Sequence, residues 1–227
     1  MKYKIMLLCK KTPFCEYAIK ILESYFPKDE ILVVRGTAGE PIDENLYLQE
    51  PEYIISFLSP WIVPKKLLVL AQKAAINFHP GSPRYPGYGC YCFALYERTE
   101  QYGVTCHYME EKVDAGDVIM TSYFDVSPRE TVETLKLKSM NHLLFIFEKI
   151  INGIYTSDFL PKSDEKWLCS QYTKKQLYDL YKINPITMDA EEIDNRIRST
   201  TYGPYGTYIS IGDKRFSYDS ANRNPIV

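Results

Sequence analysis

The first eighty residues alternate between short apolar runs and helical spacing, and that alternation limits the fold more than any other feature. Residues 3–9 form a compact apolar run suited to a strand buried on both faces. Thr12-Pro13 then reads as an N-cap with proline at the first helical position, and Tyr17, Ile21, Leu22 and Tyr25 recur at helical spacing. Residues 29–34 (DEILVV), 52–58 (EYIISFL) and 74–78 (AAINF) repeat the strand signal, with a short helix expected over 64–73. Strands that alternate with helices predict a mostly parallel sheet joined by right-handed crossovers, a Rossmann-like α/β domain.

Residues 90–96 are apolar and predict a helix after the loop at 79–89, and 103–109 and 118–126 read as two further strands. Ser127-Pro128-Arg129-Glu130 has a capping-box pattern and is expected to open a long helix to about residue 152. Leu135, Met140, Leu143, Leu144 and Phe147 make its apolar stripe, which is core rather than a ligand site. Residues 153–167 are polar and proline-bearing, as connectors are. Thr173-x-x-Gln176 and Asp189-x-x-Glu192 are further capping boxes, and 206–216 (GTYISIGDKRF) carries a hairpin signal around Gly212-Asp213. The expected division is an α/β domain over 1–155 and a small helix-hairpin extension over 156–227.

A chain of 227 residues, 45% of them hydrophobic, can bury one good core and a small appendage. Its net charge of -2 and the absence of a basic block argue against a nucleic-acid partner. Six cysteines (9, 15, 90, 92, 106, 169) and three histidines (79, 107, 142) are too dispersed for a metal site or a disulfide framework. Reduced thiols, no recognisable signal segment and no apolar run of membrane-spanning length lead to the expectation of a soluble, cytoplasmic protein.

Open parallel sheets bind ligands beyond the carboxyl ends of their strands. The fourth strand ends in Asn77-Phe78-His79-Pro80-Gly81-Ser82-Pro83, followed by Tyr85-Pro86-Gly87-Tyr88-Gly89. Residues 77 and 79 share one strand face, so an amide and an imidazole are presented together. Further on come Gly103-Val104-Thr105-Cys106-His107 and Asp114-Ala115-Gly116-Asp117.

In order and spacing these segments resemble the folate-dependent formyltransferase family, over about residues 1–150. The resemblance implies catalytic Asn77, His79 and Asp114, with 10-formyltetrahydrofolate as formyl donor and no metal. An amine attacking a formyl carbon builds an oxyanion, which an amide donor such as Asn77 stabilises. His79 can take the amine's proton or, protonated, support the oxyanion, and Asp114 can orient the imidazole. His107, inside a strand, is expected to be structural or to stand behind these groups. The resemblance further implies that backbone groups of Ser59, Pro60, Trp61 and Ile62, and of Val113, Ala115, Gly116 and Asp117, hold the folate. Trp61 can stack on a flat ring or simply pack.

Within the family, glycinamide ribonucleotide enzymes carry a glycine-rich first loop, whereas here it reads Cys9-Lys10-Lys11-Thr12-Pro13-Phe14. Methionyl-tRNA enzymes carry a fuller, basic C-terminal domain. The tail of this chain is similar to those of nucleotide-sugar N-formyltransferases, which points to a dTDP-linked 4-amino-4,6-dideoxyhexose used in surface polysaccharide such as O-antigen. That likeness assigns Gly81, Pro83, Tyr88, Gly89, Arg198 and Tyr202 to the substrate and makes the tail a homodimerisation element. The alternatives are a methionyl-tRNA formyltransferase-like enzyme and a non-catalytic module that binds folate or a nucleotide sugar.

Overall fold

The computed structural model describes residues 3–218. Six strands make the main sheet: β1 (Ile5–Lys10), β2 (Ile31–Gly36), β3 (Tyr53–Phe57), β4 (Ala74–His79), β5 (Gln101–Tyr108) and β6 (Val118–Asp125), in the order β2-β1-β3-β4-β5-β6. The first four strands run parallel, as the βα alternation predicts, while β5 runs antiparallel to both of its neighbours, so that β6 takes the direction of the first four again. β1 and β3 are buried on both faces because helices and loops cover both sides.

One face carries α1 (Pro13–Tyr25) and α4 (Val132–Ser157), packed on Ile5, Leu7, Ile55, Ile76 and Phe78. Phe57, Phe78 and Phe147 meet at the centre of this layer, with ring centroids 4.9–5.9 Å apart. On the other face Met6, Leu8 and Ile54 pack with Leu46, Val63, Leu67 and the indole of Trp61. Thr12 caps α1 as expected, accepting from the Cys15 N–H with Pro13 at the first turn.

Two local expectations shift. The helix expected over 64–73 is the single turn α2 (Lys65–Leu68), after which Gln72 N–H donates to Pro51 and the chain enters β4. The long helix begins four residues later than Ser127 suggests. Thr131 and Thr134 form the reciprocal capping box, whereas Ser127 and Glu130 close a separate turn in front of it. α3 (Cys90–Tyr96) lies where predicted.

The expected boundary at 155/156 falls inside α4. Beyond it, residues 159–172 return across the carboxyl end of the sheet as a strap. α5 (Lys174–Tyr181) and α6 (Ala190–Thr200) start at the predicted caps Thr173 and Asp189. The predicted hairpin is β8 (Tyr208–Ile211) and β9 (Lys214–Ser217), with Gly212 at φ 61° in the turn. β7 (Lys182–Ile183) adds a parallel strand to it.

Candidate active site

Alternation along β4 sends Ile76 and Phe78 into the core beneath α4 and leaves Asn77 and His79 at the carboxyl end of the sheet. The antiparallel register with β5 sets His107 opposite Asn77, and Thr105 opposite His79. The Asn77 amide consequently lies 3.0 Å from His107 Nε2. Asp114 arrives from the β5–β6 turn and faces both imidazoles. Its Oδ2 is 3.3 Å from His79 Nδ1, and its Oδ1 is 3.3 Å from His107 Nε2. Gly87 N–H donates to Oδ2 at 2.8 Å.

His79, His107 and Asp114 are buried. Burial alone pushes the Asp114 carboxyl upward, but the facing His79 charge, the His107 hydrogen bond and charge, and the Gly87 N–H together hold it well below the usual carboxylate range. Asp114 is therefore an ionised group that can only accept hydrogen bonds. Its backbone sits at φ 45°, in the left-handed region. Gln171 Nε2 braces that turn, donating to the carbonyls of Val113 and Asp114 at 2.7 and 3.3 Å.

Gly81 is required by a close approach: a Cβ there would lie 2.5 Å from His79 Nε2 and 2.9 Å from the Tyr85 carbonyl oxygen. The His79 Nε2–H donates to that same carbonyl at 2.9 Å. Trp167, from the strap, closes the cluster on its far side. Its indole N–H donates to the Gly116 carbonyl at 2.8 Å, and its ring stands edge-on to His107 and His79 at 5.0 and 5.9 Å.

These groups lie at a cleft of about 710 Å³, lined also by Lys10, Ser59, Trp61, Tyr88, Lys112, Tyr172 and Lys174. A narrow slot of about 80 Å³ adjoins it between Trp61–Val63 and Met109–Asp114, against Asn77 and His107. Its walls are the side chains of Trp61, Ile62 and Val63 on one side and of Met109 and Val113 on the other, with Glu110, Lys112 and Asp114 alongside. Trp61 itself is committed to packing: its indole covers Gly36, where a Cβ would collide with the ring, and its N–H donates to the Glu40 carbonyl at 2.8 Å.

Of the residues expected from sequence, Asn77, His79, Asp114, Ser59, Pro60, Trp61, Ile62, Val113 and Tyr88 line the cleft. Gly81 and Pro83 are buried behind it, and Gly89 is the N-cap of α3 against Leu177. Ala115 does not line the cleft; Gly116 is buried, and Asp117 points outward to Lys166 at 2.9 Å. Arg198 and Tyr202 are not brought to the cleft. Arg198 lines a separate cavity of about 410 Å³ and donates to the Leu95 carbonyl at 2.6 Å, while the Tyr202 hydroxyl accepts from Lys136 at 2.6 Å. Both stand in a local helix-packing role, which helical spacing at the tail cannot distinguish from ligand contact. Trp167, Gln171 and the cations Lys10, Lys112 and Lys174 belong to no motif that marks them as site residues in the sequence. The one available signal was a tryptophan in an otherwise polar connector.

The family model for formyl transferases matches residues 19–146, more than half of the chain. The chain belongs to the formyl transferase family. Among curated proteins, the methionyl-tRNA formyltransferase of Lactobacillus johnsonii is 32% identical over 173 residues, 74% of this chain and 52% of that protein. The chain thus spans about half the length of such curated relatives. Among solved structures, a 4-N formyltransferase from Francisella tularensis superposes with a TM-score of 0.77 at 19% identity, covering 95% of this chain and 96% of that one. An N-formyltransferase from Helicobacter canadensis, in complex with folinic acid and dTDP-3-aminofucose, gives 0.73 at 18% identity, covering 93% and 85%. At such identities the superpositions establish a shared fold, a six-stranded, mainly parallel sheet with its flanking helices.

Proposed function

We propose that the protein transfers a formyl group to the amine of a nucleotide-linked amino sugar. The observation that carries this reading is the cluster of Asn77, His79, His107 and Asp114, gathered within hydrogen-bonding or ion-pair distance beside one cleft. The slot between Trp61–Val63 and Met109–Asp114 is the place for the pterin of 10-formyltetrahydrofolate. When bound, that donor supplies the formyl carbon attacked by the amine, and its N10 leaves with a proton.

The chain's own part is electrostatics and proton handling. The Asn77 amide donates toward the negative charge that builds on the formyl oxygen, worth about 10²–10³ in rate for one such donor. The acceptor nitrogen sheds a proton as its new C–N bond forms, and the departing nitrogen gains one. His79 Nδ1 and Asp114 Oδ2, in contact, offer a route for that proton. Trp167 and the strap screen the two imidazoles from bulk water on the side away from the cleft.

The acceptor reading rests on charge and on degree of structural likeness. Lys10, Lys112 and Lys174 line the cleft, and the buried Asp114 is its only carboxylate among the described residues. A few cations suit a diphosphate, and Tyr88 and Tyr172 offer aromatic surface for a base or sugar. A tRNA would need a broad basic surface, against a net charge of -2. Sugar N-formyltransferases superpose over nearly the whole chain with TM-scores of 0.74 and 0.75, whereas a methionyl-tRNA formyltransferase, over a similar share, reaches 0.64. We favour a dTDP-linked 4-amino-4,6-dideoxyhexose for surface polysaccharide. Free thiols suit the cytoplasm, and the exposed Tyr205, Ile211 and Phe216 suit a homodimer built through the hairpin.

Methionyl-tRNA is the second acceptor to test, because the curated sequence relatives bear that name. Incubation with 10-formyltetrahydrofolate and either methionyl-tRNA or dTDP- and UDP-linked amino sugars, read by mass spectrometry, decides between them. Formyl transfer to a sugar nucleotide is expected. Transfer to the tRNA alone overturns the acceptor reading, and transfer to no amine overturns the reaction.

A further inference from the structure

Asp114 reaches the two imidazoles from a turn that is held from outside. Its backbone lies at φ 45°, a left-handed conformation that a residue with a side chain keeps only where its surroundings fix it. The carbonyls of Val113, Asp114 and Gly116 find their donors on the strap. Gln171 Nε2 donates to the first two at 2.7 and 3.3 Å, and the Trp167 indole to the third at 2.8 Å. The strap is fixed in turn by the loop on the other side of the carboxylate. Leu168 N–H donates to the Pro83 carbonyl at 3.0 Å, Tyr172 N–H to that of Pro86 at 2.9 Å, and Tyr88 N–H to that of Tyr172 at 2.9 Å. Gly87 lies between the last two contacts, and its own N–H donates to Asp114 Oδ2 at 2.8 Å. The fit there is close: a Cβ on Gly87 would stand 2.5 Å from the Tyr172 carbonyl oxygen and 3.0 Å from Gln171 Cβ.

We infer that Gln171 is a positioning residue for Asp114: from the strap it fixes the turn so that both carboxylate oxygens reach their partners at once. The inference rests on the formyl-transfer reading of the site and adds to it a residue outside β4, β5 and the turn. Neighbouring strap residues thus serve the carboxylate from two sides. The Gln171 side chain fixes the backbone that carries it, and the Tyr172 backbone fixes the segment whose N–H it accepts. An amide NH₂ has two hydrogens, which matches the two carbonyls. Gln171 also lines the cleft, but its Nε2 is committed to the turn. A side chain of the same length without donors leaves both carbonyls to water and the turn free to relax. The Asp114 oxygens stand 3.3 Å from His79 Nδ1 and from His107 Nε2, so a shift of about 1 Å takes the carboxylate out of reach of one or both.

Two measurements test this. Amide hydrogen exchange, followed by NMR on ¹⁵N-labelled protein, reads the geometry without any substrate. In Gln171→Met the Gly87 N–H should exchange about 10-fold faster, while the Tyr88 and Tyr172 N–H groups that dock the strap exchange as in wild type. Unchanged exchange at Gly87 overturns the inference, because the carboxylate has not moved. Equal acceleration at all three overturns it too, because the strap has then simply come away. In steady-state formyl transfer, Gln171→Met should lower kcat about 10²-fold, the cost of about 1 Å of misplacement, with KM for donor and amine little changed. In an Asp114→Asn background the same substitution should cost less than about threefold, since no carboxylate remains to be placed. A raised KM with kcat intact, the mark of a substrate contact, overturns the positioning role, and so do multiplicative losses in the double variant. Gln171→Glu keeps the length, lacks the donors and should lose at least as much; it replaces the methionine variant if that one folds poorly. Wild-type protein that formylates no amine sinks the formyl-transfer reading alone, and the Gly87 exchange still decides what places Asp114.

Discussion

Replacing Gly81 by alanine should cripple the site through a single methyl group. Built on the present backbone, that Cβ would sit 2.5 Å from His79 Nε2, about 0.9 Å inside the 3.4 Å at which ordinary contact begins. It cannot slide toward Tyr85, whose carbonyl oxygen lies 2.9 Å away on another side. Nor can the glycine itself easily retreat, because the buried Thr105 hydroxyl donates to its carbonyl at 2.7 Å. The softest element is the imidazole, so His79 must give way by most of an ångström and loosen its bond to Tyr85. Misplacement on this scale costs about 10²-fold in rate. Overpacking should also destabilise by about 1–3 kcal/mol. At about 3 °C per kcal/mol for a chain of this size, the melting temperature should fall by about 3–9 °C. The assay is steady-state formyl transfer together with thermal unfolding. Gly206→Ala is the control, since its Cβ would meet nothing nearer than 3.8 Å. A Gly81→Ala protein within threefold of wild-type kcat, or one indistinguishable from the control, would refute the steric argument.

Further expectations follow from the same geometry. His79→Ala should lose about 10²–10⁴ in turnover while still binding a folate analogue, as read by fluorescence titration; near-normal turnover removes His79 from the chemistry. Phe147→Ala empties the centre of the aromatic layer beneath β4, a fully buried ring with neighbours at 5.0 and 4.9 Å. It should cost about 3–5 kcal/mol, and a midpoint shift in urea worth less than 1 kcal/mol would contradict that placement. Asp114 has a folded-state pKa below its unfolded value, so its stabilisation is complete above about pH 4 and is lost as pH falls through the folded value. Between pH 5 and pH 3 the wild type should therefore lose more melting temperature than Asp114→Asn, and parallel losses would show that the cluster does not hold the carboxylate ionised.

Short-range signals carried a large part of this protein in its sequence. A strand, a cap or a tight turn is decided within a few residues, so the βα alternation, the caps at Thr12, Thr173 and Asp189, and the Gly212-Asp213 hairpin were legible. So were Asn77 and His79, because two residues of one strand end share a face whatever surrounds them. The start of α4 was misplaced at Ser127, because Ser127-x-x-Glu130 satisfies the local capping pattern, whereas the cap that forms is Thr131 with Thr134, a pair that lacks the usual acid or amide at its third position.

Whatever depended on pairing distant segments was left to the tertiary structure. The reversal of β5, and the register that sets His107 against Asn77, arise from strand neighbours thirty residues apart, on which local propensity is silent. The return of the strap made Trp167 and Gln171 part of the site, although the connector around them reads as polar linker. The same long-range packing carried Arg198 into its contact with the Leu95 carbonyl rather than to the cleft. An isolated arginine has the same charge and reach in either place, and only the docking of α6 beside α3 decides which acceptors it meets.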